Sequence, residues 1–163
     1  MTLEALNHLD RKAAEAVFTT CCGSTAWARS MAAARPFASL ADVSDTADAI
    51  WRSLAPGDWL EAFGAHPKIG EQARGPSWSD REQSGMRTAS EGVRGRIASG
   101  NAAYQSRFGY IFIVCATGKT AEGMLAELEG RLSNDPEAEL HVASEEQRKI
   151  TRLRLAKLMD DPT

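Results

Sequence analysis

Apolar side chains recur every three to four residues along most of this chain, and runs of β-branched residues are scarce. A half-buried strand alternates apolar and polar positions with period two, whereas this spacing gathers the apolar residues on one side of a helix. The one continuous apolar run, Phe108 to Ala116, has no second strand-like run to pair with. An unpaired strand would leave its backbone N–H and C=O groups without partners, so this run is expected as an extended or irregular buried segment. The fold class that follows is all-α: a multi-helix bundle with an ordered loop. A length of 163 residues suits one domain, 1–163, with a core of its own.

Helix ends are written in capping residues. Asp10 is expected to cap a helix through Ala13, Ala14, Val17 and Phe18 toward Cys22, stopped by Gly23. Ser24 caps the next, through Trp27, Met31 and Ala34, which Pro36 ends. Ser44 or Asp45 is expected to start a third, with Ala47, Ile50, Trp51 and Leu54 on one face. Pro56 suits the first turn of a short helix ending near Phe63. Residues 64–78 hold five turn formers (Gly64, Pro67, Gly70, Gly75 and Pro76) and read as a long loop, a feature that is often functional. Ser79 is expected to restart helix, with a longer helical stretch running to about Arg107 on a sparse stripe of Val93, Ile97 and Tyr104. Thr120 to Leu132 and Pro136 to Met159 supply the last two helices.

Several function classes fall away. A formal net charge of −3 offers no basic stripe for nucleic acid or an anionic membrane. No stretch is apolar and long enough to span a bilayer, and the start Met1-Thr2-Leu3-Glu4 lacks the apolar core of a signal peptide. The cysteines Cys21, Cys22 and Cys115 are odd in number and have no disulfide-framework spacing, so a reducing cytoplasm is the expected compartment. His8, His66 and His141 are scattered, without the spacing of a metal site. Gly118-Lys119-Thr120 resembles the end of a phosphate-binding loop, but Ile113 stands where the first glycine is required, and Thr120 reads better as a helix cap.

The candidates for chemistry are few. His66 lies in the long loop and precedes Pro67, which pushes it to extended geometry and can hold the imidazole rigidly outside any helix. Histidine exchanges protons near neutral pH, although a histidine that merely hydrogen-bonds the loop accounts for the same residues. Ser79-Asp80-Arg81-Glu82 matches a capping box. That role and a functional carboxylate at Glu82 are compatible. On the last helix, Arg148 and Arg152 share a face, while Arg154 lies beside the apolar row of Ile150, Leu153 and Leu158 and could reach a carboxylate or ureido group with a two-pronged contact.

Taken together, Ala65-His66-Pro67-Lys68-Ile69-Gly70, Ser79-Asp80-Arg81-Glu82-Gln83 and the segment Phe108 to Lys119 resemble the decarboxylases of 2-oxo-4-hydroxy-4-carboxy-5-ureidoimidazoline (OHCU). Arg35-Pro36-Phe37 and Arg152-Leu153-Arg154-Leu155 fit the same pattern. The resemblance implies an all-helical fold, commonly a homodimer, that converts OHCU to (S)-allantoin and carbon dioxide in urate degradation. It carries the catalytic histidine onto His66 and its carboxylate partner onto Glu82. It carries substrate contacts onto Pro67, onto Ser79, Asp80, Arg81 and Gln83, onto backbone groups of Phe112, Ile113, Val114, Cys115 and Ala116, and onto Arg154, with Arg152 as the competitor. No cofactor is expected, because the electron pair left behind as carbon dioxide departs can flow into the ring C=N of the substrate. The rivals are a helical interaction module without catalysis, and an enzyme of the same fold acting on another ureido acid or hydantoin-like ring. His66→Ala is expected to abolish turnover and, as the loss of an exposed loop residue, to spare the fold.

Overall fold

The computed structural model describes residues 1–68, 86 and 89–160. Among them are eight α-helices and no strand: α1 Leu3–His8, α2 Arg11–Cys21, α3 Thr25–Ala34, α4 Leu40–Ser53, α5 Pro56–Gly64, α6 Glu91–Phe108, α7 Ala121–Arg131 and α8 Pro136–Asp160. The all-α expectation therefore holds. Two compact units emerge, one formed by Met1–Ala62 with Arg148–Thr163 and the other by Phe63–Gln147. None of the described helices is long and apolar enough to cross a membrane.

In the first unit most helix starts follow from local chemistry. The Asp10 carboxylate accepts from Ala13 N at 2.8 Å, and the Ser24 hydroxyl from Trp27 N at 3.3 Å, so each satisfies an amide that the first turn leaves unpaired. Pro56 opens α5, where its missing N–H has no cost. Two expectations need correction. Helix α1 was not foreseen; its carbonyl end is held by Arg35, which donates to Leu6 O at 2.9 Å and Leu9 O at 2.6 Å. Helix α4 starts at Leu40, not at Ser44 or Asp45. Ser39 is the cap, accepting from Asp42 N at 3.0 Å, while Asp42 accepts from Ala38 N at 2.9 Å. The earlier start brings Val43 onto the buried stripe with Ala47 and Trp51, and Leu54 becomes the residue after the helix. Aromatic contacts fill this core: Phe18 meets Trp27 edge-on at 5.9 Å and Phe37 at 6.3 Å. The indoles of Trp27 and Trp59 donate to Ala47 O and Trp51 O, which removes the penalty of burying an N–H.

In the second unit α6 packs on α7, with Tyr104, Phe112, Met124 and Leu128 at the centre. The longer helix expected to reach about Arg107 begins at Glu91, with Ser90 as cap accepting from Val93 N at 3.2 Å. Ser79, expected to restart helix ahead of it, lies outside the described residues. Gly109 ends α6 in the left-handed conformation (φ 84°), and its N–H reaches Gln105 O at 2.9 Å. Glycine takes that conformation without a Cβ clash. The chain then runs through residues 111–116 without regular structure, as expected of the apolar run. Thr120 caps α7 through Gly123 N at 3.1 Å, and Lys119 pairs with Glu127 at 2.9 Å. Both roles confirm that Gly118-Lys119-Thr120 is a helix entrance.

Candidate functional site

His66 leaves α5 two residues after its end. Its amide closes a turn onto Phe63 O at 3.2 Å, and its ring is half-buried. The imidazole Nε2 lies 2.5 Å from Oε1 of Gln147, whose side chain is fully buried on α8. The expectation that His66 is an exposed loop residue is therefore corrected. Removing the ring would take one hydrogen bond from a buried carboxamide, a contribution of about 0.5–1.5 kcal/mol. Pro67 follows it, also half-buried.

The segment from Phe112 to Ala116 is held by side chains of α7 and α8. The Arg131 guanidinium donates to Ile113 O at 2.7 Å. It also donates to Glu139 at 2.7 Å and lies 4.5 Å from the centre of the Phe112 ring. Glu139 is fully buried and accepts further bonds from the Tyr104 hydroxyl at 2.6 Å and Asn134 Nδ2 at 2.9 Å. This places one hydrogen-bonded ion pair in the core. Burial and the Glu139 hydrogen bond together raise the Tyr104 hydroxyl far above its ordinary pKa. Two residues beyond Ile113, Cys115 N donates to Glu146 Oε1 at 3.2 Å. Lys119 stands 3.5 Å from the same carboxylate. Burial alone would lower the lysine pKa, but Glu127 and Glu146 outweigh it and the net shift is upward.

Two of the expected site elements thus meet one helix within the second unit: His66 is tied to Gln147, and the Phe112–Ala116 backbone to the adjacent Glu146. Phe112 and Val114 turn their side chains into the core of that unit, and Ile113 is buried too. The Phe112 ring packs edge-on against Tyr104 at 5.4 Å. Arg154 belongs to the first unit, half-buried, where its charge lowers the pKa of the Cys21 and Cys22 thiols against a larger rise from burial. Arg152 is 48% exposed and donates to Asp48 at 2.8 Å, beside Arg148 at 3.2 Å from the same carboxylate oxygen. Those two arginines share a face, as their spacing predicts. Ile69, Gly70, Ser79, Asp80, Arg81, Glu82 and Gln83 lie outside the described residues.

A model of the OHCU decarboxylase family matches residues 7–156. The chain belongs to the OHCU decarboxylase family. It is 38% identical over 148 residues to the uric acid degradation bifunctional protein TTL of Arabidopsis thaliana, covering 86% of this chain and 46% of that protein. The chain thus spans less than half of that plant relative. It is 31% identical over 134 residues to the 2-oxo-4-hydroxy-4-carboxy-5-ureidoimidazoline decarboxylase of Amia calva, covering 78% of this chain and 77% of that one. A crystal structure of OHCU decarboxylase in the presence of (S)-allantoin superposes with a TM-score of 0.81 at 36% identity, covering 94% of this chain and all of that one.

In this OHCU decarboxylase family member, sequence reasoning overlooked Gln147, Glu146, Arg131 and Glu139. A signal for two of them was present. Glu139, Ala143, Gln147, Thr151 and Leu155 recur every four residues along α8, and all five are buried. The row expected from hydropathy ran through Leu153, which is 46% exposed. Polar residues at helical spacing within one row mark a face that is buried but hydrogen-bonded.

Proposed function

We propose that this chain catalyses decarboxylation of 2-oxo-4-hydroxy-4-carboxy-5-ureidoimidazoline to (S)-allantoin and carbon dioxide, as a carboxy-lyase of urate degradation. The observation that carries the reading is the match to OHCU decarboxylase over all of that chain and 94% of this one, at 36% identity. The substrate's carboxylate sits on a carbon next to a ring C=N, so the electrons of the breaking bond can move into that imine. The protein then needs to orient the carboxylate, move protons and stabilise the enol-like intermediate.

In this reading His66 transfers a proton at the substrate's hydroxyl or imine, and Glu82 orients the ring or binds substrate N–H groups. Pro67, Ser79, Asp80, Arg81 and Gln83 contact the substrate, as do backbone groups from Phe112 to Ala116. Arg154 holds the ureido or carboxylate group. Arg152, which donates to Asp48 at 2.8 Å, is the competitor for that role. Protonation on one face of the intermediate gives the S configuration. The family match spans most of both units, which supports their working as one domain, 1–163. An odd number of cysteines without disulfide-framework spacing favours a reducing compartment such as the cytoplasm. A homodimer completes the reading.

The test is circular dichroism during urate oxidation, with urate oxidase and hydroxyisourate hydrolase generating the substrate in the cuvette. Faster decay of its signal, with growth of the (S)-allantoin spectrum, is expected on adding this protein. His66→Ala, confirmed folded, is expected to lose roughly 10²- to 10⁴-fold in rate, the usual contribution of a proton-transfer group. Unaccelerated decay to racemic allantoin with folded wild-type protein refutes the activity.

A further inference from the structure

We infer that Gln147 is a positioning residue for His66, holding the neutral imidazole as the Nε2–H tautomer so that Nδ1 carries the basic lone pair. The inference rests on the reading of His66 as the proton-transfer group. Its physical basis is the pairing itself. The carboxamide oxygen of Gln147 faces Nε2 at 2.5 Å. A carboxamide oxygen can only accept, so the ring nitrogen must donate. The two ring nitrogens are distinct, and the bond made by one decides which carries the proton on the other.

The surroundings make this hold rigid. Gln147 is fully buried, in the middle of a 25-residue helix whose neighbouring residue Glu146 is fixed by Cys115 N and Lys119. A buried glutamine has little rotamer freedom, and the oxygen of Gln147 faces the ring. His66 leaves α5 on a short turn and Pro67 limits the backbone that follows, so the ring has little freedom to realign.

The test combines heteronuclear NMR of nitrogen-labelled histidines with kinetics on freshly generated substrate, at about pH 8, above the ordinary histidine pKa of about 6.5. His66→Ala identifies the His66 signals by difference from those of His8 and His141. The wild-type ring is expected as Nε2–H. Gln147→Met keeps the side-chain length and removes the acceptor; it is expected to lose that tautomer preference. Its kcat should fall roughly 10- to 100-fold, the effect of removing the group that orients an imidazole at metal sites, with KM nearly unchanged. Gln147→Glu restores an acceptor and is expected to recover the tautomer and part of the rate, which a merely structural role would not predict. A wild-type Nδ1–H tautomer overturns the inference without any variant, and so does a folded Gln147→Met with wild-type kcat. Full activity in His66→Ala overturns instead the catalytic reading of His66, which the wild-type tautomer measurement does not depend on.

Discussion

Replacing Arg131 by methionine isolates the buried ion pair that holds the Phe112–Ala116 segment. Methionine fills a similar volume and cannot donate. Glu139, with no exposed surface, would keep its bonds from the Tyr104 hydroxyl and Asn134 but lose its only cationic partner among the described residues. Ile113 O would lose its donor as well. Breaking a buried pair from one side costs about 3–5 kcal/mol, because the remaining charge is left in a poor solvent. For a chain of this size, about 2–4 °C per kcal/mol places the loss in melting temperature at roughly 6–20 °C. Urea and thermal unfolding followed by far-ultraviolet circular dichroism would measure it. The double variant Arg131→Met/Glu139→Leu removes both charges and is expected to be more stable than Arg131→Met alone. A loss below about 1 kcal/mol, the worth of an exposed surface pair, or no recovery in the double variant, would refute the claim that burial makes this pair costly to break.

Two glycines of α6 are expected to respond with opposite signs in thermal melts. A Cβ at Gly100 would stand 2.6 Å from Leu128 Cδ2 in a filled core, so Gly100→Ala should destabilise by about 1–3 kcal/mol, whereas Gly95 has nothing within 4 Å and Gly95→Ala should stabilise by up to about 1 kcal/mol. Burial pushes the Cys21 and Cys22 thiols from 9.0 up to about 12 and about 11. Because the folded state holds those protons more tightly, their contribution to stability is complete below about pH 9 and declines as pH rises toward 11–12; the denaturation midpoint should fall across that window, less steeply in Cys21→Ala/Cys22→Ala. Peptide mapping after brief alkylation of native protein near pH 8 should find Cys115, which is partly exposed, labelled before the two buried thiols.

The sequence alone determined whatever depends on neighbours along the chain. Asp10, Ser24 and Thr120 start helices because each lies within reach of an amide three residues on, and Gly109 follows α6 because only glycine enters the left-handed turn without strain. The lack of a partner for the run Phe108–Ala116 was also legible, since pairing needs a second strand. The motif around His66 was legible as a proton-transfer candidate, but its partner was not. Where two start signals compete, as at Ser39 and Ser44, local chemistry does not choose; the burial of Val43 does. Arg131 looks in sequence like a residue of a solvated helix face, and the four-residue recurrence that includes Glu139 and Gln147 does not say what either one faces. Their meaning comes from groups 18, 35 and 81 positions away: Ile113 O, Tyr104 and His66. Burial makes an unpaired polar group costly and a paired one specific. Only the tertiary structure could decide which polar residues are buried and what each one faces.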